Sequence, residues 1–100
     1  MKGGESMTDE QKENIYKLLL VDIGRRNVLP DEREFIKTLI ASAAKRIQEE
    51  GITLDFTDAN DCLLCSQYAA WLYSKRRKDG QETAMPRMLR WELNQRVFKG

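Results

Sequence analysis

The sequence predicts an all-α protein, a small bundle of about four helices with an extended connector between helices 2 and 3. Three observations predict it. Apolar residues recur at three- and four-residue spacings in four separate stretches. Start and stop signals punctuate those stretches at Thr8, Gly24, Pro30, Gly51 and Pro86. Only one short segment, Ile52 to Phe56, alternates with period two, and five residues cannot make a sheet alone. A chain of 100 residues is one domain's worth, and 41% hydrophobic with 33% charged residues is a globular composition with a heavily charged surface. The expected organisation is a flexible N-terminal tail over residues 1–7 and a single helical domain over residues 8–98.

The first helix is expected over about 8–23. Thr8-Asp9-Glu10-Gln11 is a capping-box signature, in which Thr8 caps the Gln11 N–H while Gln11 reaches back. Ile15, Leu18 and Leu19 follow at helical spacing, and Gly24 is a good stop. The second helix starts at Leu29-Pro30-Asp31-Glu32, where proline presets φ and the acids suit the positive end of the helix dipole. Phe35, Ile36, Leu39, Ile40, Ala43, Ala44 and Ile47 form its one-sided apolar stripe, and Gly51 ends it. The connector is expected to tuck Ile52, Leu54 and Phe56 into the core. Thr57 or Asp58 then caps a third helix whose body, Cys62 to Tyr73, is apolar nearly all round. Such a helix needs neighbours on every side, from its own chain or from another subunit. It turns basic at Lys75-Arg76-Arg77-Lys78. A polar loop over 79–85 leads to Pro86, which starts a fourth helix carrying Met88, Leu89, Leu93 and Val97.

Net charge is +1, so bulk charge does not mark a nucleic-acid binder, but the charge is divided. Residues 1–61 hold 9 Lys/Arg against 13 Asp/Glu, a net of −4, and residues 62–100 hold 8 against 3, a net of +5. An acidic end and a basic end allow copies to attract one another head to flank. No N-terminal apolar run reads as a signal peptide and no stretch reaches the roughly 18 apolar residues of a membrane span, so no membrane partner is expected. Two cysteines without an export signal suit a reducing compartment.

The search for chemistry finds little. With no histidine, the Ser/His/Asp and Cys/His nucleophilic arrangements and the commonest metal ligand are missing. Cys62 and Cys65 form a C-x-x-C, but a structural zinc needs four ligands and the pair sits within an apolar helix, so buried small hydrophobes are expected over a redox or intersubunit metal role. No phosphate-cradling glycine motif is present. Asp58 and Asp61 read as a helix cap with a solvated first turn rather than a catalytic pair. No catalytic, cofactor-binding or metal residue is therefore assigned, and the chain is expected not to be an enzyme. The basic residues Lys75, Arg76, Arg77, Lys78, Arg87, Arg90 and Arg96 have three readings. They could track a phosphate backbone, pair across a subunit interface with Asp31, Glu32, Glu34, Glu49 and Glu50, or simply face solvent. Phe35, Ile36, Leu39, Trp71, Tyr73 and Leu89 are the expected core or interface anchors.

Two stretches together resemble the head–tail connector, or adaptor, family of long-tailed phages and prophages. One is Leu18-Leu19-Leu20-Val21-Asp22, a short loop, then Asp31 to Ile36 running into Leu39 to Ile47. The other is Leu63 to Arg76, with Trp71-Leu72-Tyr73 before Arg76, a polar loop, and Met85-Pro86-Arg87-Met88-Leu89. The likeness spans about residues 15–97. It implies a structural virion protein that oligomerises into a ring between the portal and the stopper or tail proteins, with genome DNA passing non-specifically through the lumen. The implied location is the virion, with assembly in the host bacterial cytoplasm. The rival reading is a small helical nucleic-acid-binding regulator using the basic C-terminal helix. Helices 3 and 4 would then form a helix-turn-helix, although 79–85 is long for that turn.

Overall fold

In the computed structural model the described residues are 7–24, 28–77 and 84–99, with Arg76, Arg77 and Lys99 described in backbone only. They form four α-helices, α1 (Asp9–Ile23), α2 (Pro30–Glu49), α3 (Ala59–Arg77) and α4 (Arg87–Lys99), and no strand among them.

The local signals operate as the sequence implies. Thr8 Oγ1 accepts the Gln11 N–H at 3.1 Å and the Gln11 side chain accepts the Thr8 N–H at 3.0 Å, closing the capping box of α1. Gly24 ends α1 in the left-handed region at φ 73°, where a Cβ would add strain. Pro30 opens α2, and Gly51, at φ 97°, turns the chain out of it.

Helices α1 and α2 pack against each other and both pack against α3. Glu13 of α1 reaches Arg33 and Lys37 of α2, at 3.2 and 2.8 Å, and both cations lie over the Tyr16 ring. Helix α3 runs back along α2: Cys65 Sγ donates to the Ile40 carbonyl at the middle of α2, and Tyr73, late in α3, donates its hydroxyl to Glu32 in the first turn of α2 at 2.8 Å. One side of α2 is thereby buried, with Ile36, Ile40, Ala43 and Ile47 fully enclosed. Met7, placed in the expected tail, packs half-buried against the same core.

Helix α3 is the centre of the molecule. It packs against α1, α2 and α4, which is why it affords so little polar surface. Leu64, Cys65, Tyr68, Ala69, Ala70 and Tyr73 are all buried. Tyr68 meets Trp71 edge to face, with centroids 5.5 Å apart. Ser66, also buried on α3, donates its hydroxyl to the Leu63 carbonyl of its own helix at 2.8 Å. The connector places Ile52, Leu54 and Phe56 in the core, each less than a tenth exposed. It does so without strand pairing, held at its exit by Asp55, whose carboxylate accepts both the N–H and the hydroxyl of Thr57.

Two anchors sit differently from the sequence pattern. Phe35 is 36% exposed, because it lies at the margin of an α2 stripe centred on Ile36, Ile40 and Ile47. Leu39, beside it, is half-buried.

Candidate functional site

Helix α4 is docked on the N-terminal half of α3 by two apolar residues and one ionic clasp. Leu89 and Leu93 are buried, and Arg96, one turn on from Leu93 on the same side, reaches Asp61 in the first turn of α3. Asp61 is only 6% exposed, so the expected solvated first turn is corrected at this residue. One of its oxygens receives Arg96 Nη1 and the other accepts the Asp55 backbone N–H at 2.8 Å. Arg96 Nε also donates to Glu92, one turn back, at 3.0 Å. Burial works against the Arg96 charge, but the hydrogen bonds to Asp61 and Glu92 outweigh it and raise its pKa. The clasp keeps both buried charges paired, the condition under which such charges are tolerated.

An open groove of about 470 Å³ runs between α3 and α4, lined by Asp58, Asp61, Leu63, Met88, Glu92 and Arg96 among others. Arg96 pairs there with both Asp61 and Glu92, one cation against two carboxylates. Among the described residues no group of three or more His, Cys, Asp or Glu side chains is placed to hold a metal ion. The thiols are chemically quiet. Burial pushes Cys65 up to about 12, and burial together with Asp61 and Asp58 raises Cys62. Both are free, Cys62 donating to the Phe56 carbonyl at 3.2 Å.

The described basic residues have different surroundings. Lys75 Nζ lies 5.0 Å from the Trp71 ring centroid. Arg76 and Arg77 occupy the last turn of α3 with their side chains outside the description, and Lys78 lies outside the described residues altogether. Arg87 is exposed at the start of α4. Arg90 pairs with Glu50 of the same chain at 3.4 Å, and Arg96 is taken by Asp61 and Glu92. On the acidic side, Glu50 and Glu32 therefore have partners within the same chain, Arg90 and Tyr73. Asp31, Glu34 and Glu49 are exposed and make no ion pair with another described residue. Ile36, Tyr73 and Leu89 are buried, and Trp71 is half-buried.

Part of the exposed surface is apolar. On α4, Met88 is 76%, Trp91 56% and Phe98 92% exposed. Arg87, Trp91, Asn94 and Phe98 follow one another at spacings of four, three and four, a stripe on the side of α4 turned away from Leu89 and Leu93. A second group lies at the α1–α2 turn, where Val21 is 82% and Leu29 74% exposed. Sequence reasoning had no reason to single out Phe98, Val21 or Leu29. The available signal was that Val21 and Leu29 flank Gly24 off both helices' stripes. The Glu13 cluster and the Asp61–Arg96 clasp were likewise invisible, joining residues far apart in the chain.

Comparison of the chain with protein-family models, with curated proteins and with solved structures returns no match. No described helix is long and apolar enough to cross a membrane.

Proposed function

We propose that this protein is a non-enzymatic assembly subunit of the head–tail connector kind, which oligomerises into a ring between a portal and a tail or stopper protein and lets genome DNA pass through the lumen. The observation that carries this reading is the uncovered apolar surface of a subunit whose core is otherwise complete. Large apolar side chains left in water at both ends of a small protein favour association with other surfaces. The order of helices agrees with the resemblance found in residues 15–97, which supplies the phage connector component of the proposal. In this reading the protein acts in the virion and is assembled in the host bacterial cytoplasm. The DNA contact is non-specific, made by whichever basic side chains line the lumen.

The test is solution mass by light scattering over a concentration series at low and high salt, with electron microscopy of the largest species. The connector reading expects a discrete closed ring whose formation weakens with salt. A stable dimer that binds duplex DNA with steep salt dependence would replace it with the regulator reading. That alternative has less to work with in α4, where Arg90 and Arg96 are already paired with acids of the same chain.

A further inference from the structure

Helix α4 presents two different surfaces beside its docked row of leucines. On one side Met88, Glu92 and Arg96, each four residues after the last, wall the groove whose other wall is the first half of α3. On another side Arg87, Trp91, Asn94 and Phe98 face outward, all four exposed. The helix cannot lay its outer stripe in a groove that it helps to wall, so joining the two surfaces takes a second molecule.

The surfaces match in size and make-up. The groove holds about 470 Å³, within the range of clefts that enclose a whole small molecule. Along α4 it runs from Met88 to Arg96, a rise of about 12 Å, and Trp91 and Phe98 are separated by about 10 Å of the same kind of helix. Leu63 and Met88, 45% and 76% exposed, give the groove apolar walls for the two rings.

Their charges are opposite. Among the described residues lining the groove, Asp58, Asp61 and Glu92 are acids and Arg96 alone is a cation, three against one, a net of −2. Asp58 is exposed and makes no ion pair with another described residue. Helix dipoles do not reverse this, because the last turn of α4 lies against the first turn of α3 and their opposite ends offset. The outer stripe carries one charge, Arg87, likewise without an ion pair to another described residue.

We propose that the outer stripe of α4 docks in the α3–α4 groove of a second copy, with Trp91 and Phe98 against Leu63 and Met88, and Arg87 drawn to Asp58 and Glu92. This deepens the assembly reading given above and rests on it. Two aromatic anchors in an apolar groove with charge at its edge have the make-up of an interface with a desolvated core and a polar rim. Because the two surfaces differ, the contact is heterologous and repeats from copy to copy until the rotation closes. Leu89 and Leu93, which seat α4 on its own subunit, take no part in it.

Two double variants and their mixture test it by sedimentation velocity. W91E/F98E spoils the stripe and L63E/M88E spoils the groove; all four side chains are exposed, and circular dichroism confirms the fold of each variant. The expected result is that wild-type protein self-associates and each variant alone does so about tenfold more weakly. The two mixed together should form a one-to-one heterodimer and nothing larger, because each contributes one intact surface. If L63E/M88E alone associates like the wild type while W91E/F98E does not, the aromatics pack elsewhere, and the proposed contact is wrong while self-assembly stands. If both variants assemble like the wild type, neither surface is used, and again only the contact fails. Wild-type protein that stays monomeric at every concentration overturns the contact and removes the support for the assembly reading as well.

Discussion

The α1–α2–α3 core and helix α4 are built from the same kind of amphipathic sequence, yet they are held in place by different means. In the core each helix meets two others or more, and side chains such as Ile15, Leu19, Ile40 and Leu64 are shut off from water on every side. Helix α4 has close neighbours mainly on α3 and buries two leucines, so an ionic clasp and the Arg90–Glu50 pair carry a much larger share of its attachment. The difference shows that a short helix burying a single apolar row can be fastened by a buried charge pair.

The comparison can be broken most severely in the core. Ile40→Ala removes a fully enclosed side chain between α2 and α3 and leaves a cavity that close-packed neighbours cannot fill. It should cost about 4 kcal/mol of global stability, seen as a lower urea midpoint for all four helices together. A loss below about 1 kcal/mol would mean the core is far looser than its burial indicates.

Arg96→Met should act locally and cost about 3 kcal/mol, because it strands the Asp61 carboxylate in a site where it is only 6% exposed. Amide hydrogen exchange should show α4 losing protection while α2 keeps it. Equal loss in both helices would show that α4 is cooperative with the core after all.

The smallest effect concerns the cluster joining α1 to α2. The Lys37 hydrogen bond, opposed in part by desolvation and helped by Arg33, holds Glu13 below the usual carboxylate range. A carboxylate with a lowered folded-state pKa stabilises the protein at neutral pH. That contribution fades as pH falls below its ordinary value of 4.5 and through the lowered one. Glu13→Gln should therefore flatten the acid limb of a stability-against-pH curve and leave the slope above pH 6 as it is. An unchanged acid limb would place the acid sensitivity elsewhere. Because the cluster is solvent-screened, the effect should also shrink with added salt.

The parts of this fold that can be read from the chain are those whose cause is local. Thr8 with Gln11, Gly24, Pro30 and Gly51 fix helix ends through groups a few residues apart, and Ile52, Leu54 and Phe56 announce their burial by alternation. The α2 stripe identifies Ile36, Ile40 and Ile47 because one face of an isolated periodic helix must be covered. The same periodicity overreaches at Phe35, since it cannot say how wide the covering surface is. In α4 it is weaker still. Apolar residues lie on both sides of that helix, so the pattern alone does not reveal that Leu89 and Leu93 turn inward while Trp91 and Phe98 turn out. Asp61 looked like an ordinary first-turn acid because its partner comes from a helix 35 residues on. Interfaces expected between subunits at Glu50, Arg90 and Arg96 were partly satisfied at home for the same reason, as charge position along a chain does not give distance in space.

Asp61 touches two things at once, the backbone of the connector at Asp55 and the side chain of Arg96. The carboxylate is therefore oriented for Arg96 by the seated connector. One buried carboxylate thus ties the connector and the last helix to each other.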